Sequence, residues 1–151
     1  MTKIEQAREL QTEGFNCSQR TLLVFCDELN INRKEALQIA SGFGAGMHHG
    51  EVCGAIAGAI MVLGLKYGHS EGTDAAAKEK INNTVRQFNT AFIAKHKTLL
   101  CKELVGMDFS IRENMEEARK TGIFKTICAE FVDDAIGILE EIIKEANNNA
   151  I

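Results

Sequence analysis

An all-α fold is predicted by three features of the sequence. It contains no proline, it is rich in Ala, Glu, Lys, Leu and Ile, and no segment alternates apolar and polar residues with a period of two. At 151 residues, 45% hydrophobic and 25% charged, the chain can bury a sizeable core, and one domain over residues 1–151 is the simplest reading. The expected architecture is an irregular helical bundle of about five to seven helices.

The elements follow from local signals. Thr2-Lys3-Ile4-Glu5 reads as a capping box that opens a first helix with Ile4, Ala7 and Leu10 on its apolar side, and Gly14 ends it. Asn16 or Ser18 can cap a second helix carrying Leu22, Phe25, Cys26 and Leu29 at helical spacing. Asn32-Arg33-Lys34-Glu35 repeats the capping pattern before a short helix with Ala36, Ile39, Ala40 and Phe43 on one face. A helix from about Glu51 to Tyr67 follows a glycine-rich run. Thr73 or Asp74 then caps a long helix that buries Ile81, Val85, Phe88 and Phe92 and brings Cys101 near its end. Ser110-Ile111-Arg112-Glu113 is a third capping pattern, opening a charged helix that stops at Thr121-Gly122. The last helix, from about Phe124 to Ala146, buries Ile127, Phe131, Ala135, Ile138 and Ile142 and carries Cys128 in its first turns; the tail Asn147 to Ala150 is expected to fray.

Composition also bounds the function. The net charge of −4 is mild and Lys and Arg are interspersed with acids, so nothing points to nucleic acid. The longest uncharged run, Val52 to Leu65, is too short to span a bilayer and reads as a core helix. Met1 to Gln6 lacks the basic and apolar regions of a signal peptide, so a cytoplasmic location is expected. In a reducing compartment, five cysteines point to metal binding or redox chemistry more than to structural disulfides.

The chemistry concentrates in residues 42–59. Gly42, Gly44, Gly46 and Gly50 suit a sharply turning loop, which runs through His48 and His49 into Cys53 at the mouth of a helix. There the free N–H groups and the macrodipole favour a thiolate; the alternative is that Cys53 is a small buried apolar residue. Gly54 and Gly58, four apart, either let a second helix come close or leave room for a cofactor beside Cys53. The same small face is a candidate surface for a homodimer. Cys17, near a helix start, shares the thiolate-favouring setting, whereas Cys26 on an apolar stripe reads as core filler. His48 and His49 could serve as base or ligand, or stand exposed in the loop; His69 and His96 have no supporting pattern. No Cys-x-x-Cys occurs, so spacing alone supports no zinc-finger, thioredoxin or ferredoxin-type site. The run Gly42-x-Gly44-x-Gly46 follows a helix rather than a strand and so does not make a dinucleotide fingerprint.

Asn16-Cys17, the run into Cys53-Gly54-Ala55-Ile56-Ala57-Gly58, then Cys101 and Cys128 together resemble the C_GCAxxG_C_C family of redox-active proteins, over about Glu5 to Ile143. One departure is Val52 before Cys53, where the family's name carries Gly-Cys. The resemblance implies that Cys17, Cys53, Cys101 and Cys128 are the functional cysteines; Gly54 and Gly58, by their spacing, and His48 and His49, by their nearness in sequence, are the further candidates for holding a cofactor or metal. A related four-cysteine domain in split-Soret-type cytochromes accompanies a non-haem iron or iron–sulfur centre, so iron is the implied metal. Covalent c-type haem is not expected, because no Cys-x-x-Cys-His is present. Two mechanisms follow: thiolate ligation of an iron–sulfur cluster or metal ion, or dithiol–disulfide cycling with Cys53 attacking, either one serving an unidentified redox partner. The competing reading is a non-catalytic helical interaction module whose cysteines are structural.

Overall fold

The computed structural model describes residues 1–149 and is helical nearly throughout. Nine α-helices follow one another among the described residues: α1 (Lys3–Thr12), α2 (Cys17–Leu23), α3 (Cys26–Leu29), α4 (Arg33–Ala40), α5 (Gly54–Tyr67), α6 (Ala75–His96), α7 (Cys101–Val105), α8 (Arg112–Thr121) and α9 (Ile127–Asn149). The count exceeds the expected five to seven for two reasons. The second helix breaks after Leu23 into α2 and α3, and Cys101 opens a helix of its own instead of ending α6.

Side-chain caps fix the starts of α1, α2, α4 and α6. The Thr2 hydroxyl accepts the Glu5 N–H at 3.1 Å while the Glu5 carboxylate accepts the Thr2 N–H at 2.7 Å. Asn16 and Gln19 make the same exchange at 2.9 and 3.1 Å, and Asp74 accepts the Ala77 N–H at 3.0 Å. Asn32 accepts the Glu35 N–H at 3.0 Å with no return bond. The pattern at Ser110 is not used. Its N–H and hydroxyl both donate to Asp108 Oδ1, at 2.9 and 2.6 Å, so α8 begins at Arg112 with Ile111 at the N-cap and no side-chain cap. Ile123–Lys125 winds as a tight turn, which delays α9 to Ile127. At its other end α9 continues through Asn149 rather than fraying at Asn147; Ala150 lies outside the described residues.

α5 is the axis of the molecule. Ala55, Ile56, Ala59, Val62 and Leu63 are buried along it, and it packs on α2, α6 and α9. A Cβ on Gly58 would lie 2.6 Å from the Ser18 carbonyl oxygen, so this glycine serves the close approach of α2 and α5. The small-residue face is thereby covered within the chain and is not open to a second copy. α6 contributes Phe88 and Phe92, and α9 contributes Val132, Ala135, Ile136 and Leu139, all fully buried. Two expected core residues face outward: Ile39 is 65% exposed and Ile127 41%. No helix among the described residues is long and apolar enough to cross a membrane.

Candidate functional site

The loop before α5 departs most from the sequence reading. After a tight turn over Ser41–Phe43, Ala45, Gly46, Met47 and His48 are all left-handed, with φ of 53°, 63°, 61° and 53°. Three of these four carry a Cβ, and each such residue costs on the order of 1–2 kcal/mol unless its surroundings impose the conformation. The surroundings do so here. The Ala45 N–H is directed at the Cys17 sulfur, and a Cβ on Gly46 would lie 2.8 Å from Cys101 Cβ. Asn16 Nδ2 donates to the Ser41 carbonyl at 3.0 Å and ties the loop to the start of α2. Consequently α5 starts at Gly54 and not at Glu51, and Glu51 to Cys53 run extended.

That extended piece meets another. Val52 and Leu100 form an antiparallel bridge, with the Cys53 N–H donating to Leu99 O at 2.9 Å and the Cys101 N–H to Glu51 O at 2.6 Å. Two cysteines 48 positions apart in the chain (101 − 53) are thus pinned to one short ladder. Cys17 is the first residue of α2, Cys53 caps α5, Cys101 is the first residue of α7 and Cys128 is the second of α9.

Cys17 and Cys101 lie within electrostatic reach of each other and of both Cys53 and Cys128. A charge on Cys17 raises the pKa of Cys53, Cys101 and Cys128, and a charge on Cys101 raises those of Cys53 and Cys128. Cys26 stands apart. It also opens a helix, so position at a helix start does not separate the cysteines, but its charged neighbours are Asp27 and Arg33 and its thiol donates to Leu22 O at 3.5 Å inside the main core. All five cysteines are free.

The expected thiolates are not what the fold produces. Burial first, then the Cys17 charge, pushes Cys53 well above the ordinary thiol range, although the Ala55 and Ile56 N–H groups at the start of α5 pull it down. Burial likewise pushes Cys101 and Cys128 up to about 12. Cys17 is raised by burial and partly relieved by the Ala45 N–H and by Arg20. Desolvation of a charged sulfur outweighs two or three N–H contacts and the helix dipole, so these groups are thiols at neutral pH.

Arg20, three residues beyond Cys17 on α2, is the cation that faces Cys17 and Cys128. It is 3% exposed, and its Nε has no hydrogen-bond partner. A polar residue at i+3 from a candidate cysteine was the available signal, and the sequence reading passed over it. Cys17, Cys128, Arg20 and His48 line one cavity of about 300 Å³. His49 is exposed near Asp108 and does not line that cavity. His96 is elsewhere, paired with Asp134 at 2.7 Å between Phe92 and Phe131. Gly54 is at the site, since a Cβ there would collide with Cys17 Sγ; Gly58 is one turn further along, against α2.

Soft sulfur donors from four helix starts suit iron–sulfur or single-metal ligation in kind. As they stand, no three His, Cys, Asp or Glu side chains among the described residues are grouped to hold a metal ion. The family model described as "Putative redox-active protein (C_GCAxxG_C_C)" matches residues 15–142. Neither a curated protein nor a solved structure matches the chain.

Proposed function

The chain belongs to the C_GCAxxG_C_C family, and we propose that Cys17, Cys53, Cys101 and Cys128 act together as one thiolate-ligated redox centre, holding an iron–sulfur cluster or a single metal ion. The observation that carries this reading is the placement of these four cysteines: Cys17 Sγ lies against Gly54 beside Cys53, one backbone bridge pins Cys53 and Cys101, and Cys17 and Cys128 line one cavity, while Cys26 sits apart in the main core. Buried thiols that raise one another's pKa ionise together only when a positive centre compensates them. The ladder adds support. It holds the backbones of Cys53 and Cys101 to one another through the Val52–Leu100 bridge, although they are far apart in the chain.

The bound group would supply one-electron chemistry. The protein's part is local. N–H groups of Ala45, Ala55 and Ile56 hold the Cys17 and Cys53 sulfurs, Arg20 balances charge, and burial keeps water out. Coordination requires the four side chains to rotate toward one another and releases their protons. Gly54 leaves the room that rotation needs at Cys17.

A second reading rests on a different observation: Cys17 and Cys128 line the same cavity. In it these two thiols are oxidised to a disulfide, giving two protons and two electrons to a redox partner. Iron, zinc and acid-labile sulfide content with a visible spectrum, measured on protein purified anaerobically, separates the readings. Iron with sulfide and thiolate-to-iron bands is the expected result. Cys53→Ser should abolish it with helical content unchanged, while Cys26→Ser should retain it. Colourless protein without metal overturns the ligated centre. Reversible loss of two thiols at Cys17 and Cys128 would then support the disulfide cycle, and no thiol chemistry at all would leave an interaction module.

A further inference from the structure

The cavity over Cys17 and Cys128 has a charge pattern that holding a metal does not require. Three cations line it, Arg20 on its floor and the exposed Arg119 and Lys125 at its mouth, and no Asp or Glu does, in a chain whose net charge is −4. None of the three takes part in an ion pair among the described residues. The carboxylate that Arg20 feels at longer range, Asp133, is itself held by Arg8 at 2.6 Å.

Arg20 is also placed with care. Its Nη1 donates to Gln11 Oε1 at 3.3 Å and to Ala7 O at 3.5 Å, both long contacts, while its Nε points at no acceptor. Gln11 in turn donates to the Phe124 carbonyl at 2.8 Å and so fixes one wall of the cavity against α1. A guanidinium this buried with an unused N–H is costly unless an acceptor completes it. The rest of the wall includes the apolar Phe15, Met115 and Phe124. The volume, about 300 Å³, is at the small end of ligand pockets.

We propose that this cavity binds a small organic anion, with its oxyanion headgroup on Arg20, Arg119 and Lys125, its apolar body against Phe15 and Phe124, and Cys17 and Cys128 beneath it. Binding stands independently of the redox centre. The anion's role as the centre's substrate rests on that reading.

Calorimetric titration of the full chain with benzoate, phenyl phosphate and the neutral benzamide tests the site. One or both anions should bind at least about tenfold more tightly than benzamide, the effect of one charge-assisted hydrogen bond. The preferred anion distinguishes a carboxylate from a phosphate headgroup. In Arg119→Gln/Lys125→Gln, whose side chains are exposed, the preference should fall toward unity with helical content unchanged, whereas Lys78→Gln on α6 should retain it. Equal affinity for benzamide, no binding of any probe, or a preference that survives the double substitution each overturns the proposal. None of these outcomes bears on the metal analysis, so the two readings fail separately.

Discussion

The two buried clusters of this protein are made from unlike material. The larger gathers α1, α2, α5, α6 and α9 around Phe88, Phe92, Ile56, Leu63, Ile136 and Leu139. The smaller centres on Ala45, Cys101, Phe109 and Ala118, drawn from a left-handed loop, a five-residue helix, a turn and α8. The cysteines occupy the seam. Cys53 belongs to the larger cluster and Cys101 to the smaller, and the Val52–Leu100 bridge joins their backbones. Long helices bury enough apolar surface to fix one side of the site. The other side has short elements and few buried residues, the signature of a region that opens at lower free energy. A site at such a seam combines fixed sulfurs with adjustable ones.

Truncating an aromatic on each side should produce the largest contrast. Phe88→Ala in the main core is expected to lower global stability by about 3–5 kcal/mol, read as a shift of the denaturation midpoint. Phe109→Ala removes an equally large side chain, 2% exposed, from the smaller cluster. Its effect should appear mainly as faster hydrogen exchange over α7 and α8, with amides of α5 and α9 still protected. Equal loss of protection in both regions would show that the two clusters unfold as one.

Glycines sharpen the comparison at a smaller scale. In Gly58→Ala the new methyl meets a backbone carbonyl of α2, and in Gly46→Ala it meets Glu51 and Cys101 at a residue whose φ is +63°. Each should cost about 1–3 kcal/mol, the first across the whole fold and the second at the seam, where it should also displace Cys101 and lower any metal content. Gly64→Ala, in α5 with open space around its Cβ, should stabilise by about 0.5–1 kcal/mol. Thermal melts of the three variants with metal analysis of Gly46→Ala check the order. A neutral Gly58→Ala would mean that α2 can retreat from α5.

The same division explains what the sequence disclosed. Apolar periodicity and caps identified the residues of the larger cluster, because long helices express their environment at every third or fourth position: Ala7, Phe88, Phe92, Phe131 and Ala135 are all where the pattern puts them. The smaller cluster is held by contacts between distant segments, which no local pattern encodes. The bridge of Val52 to Leu100 and the packing of the left-handed residues Ala45 and Gly46 against Cys17 and Cys101 are of this kind; the capture of Ser110 by Asp108 is local, but it competes with the capping pattern that the sequence offers. The identities of the four functional cysteine candidates came from an ordered motif spanning the chain. Their electrostatic setting did not, since burial reverses what a helix start alone favours.

The last effect concerns pH, and its sign distinguishes the two states of the seam. The Cys101 thiol is moved by burial from the ordinary 9.0 up to about 12. Between those values the unfolded chain gives up this proton and the folded chain keeps it, so the folded state binds more protons and stability falls as pH rises. Below pH 9 both states are protonated, and the contribution of Cys101 is constant. The slope is at most about 1.4 kcal/mol per pH unit for each such thiol. Chelator-treated protein should therefore lose stability progressively above pH 9, and Cys101→Ala should flatten that loss by roughly one thiol's share. Metal-loaded protein should slope the other way at the acid end, because protons compete with the metal for the sulfurs. Urea denaturation of both forms from acid to alkaline pH measures the two slopes. Parallel curves would mean that no cation ever replaces the protons at this seam.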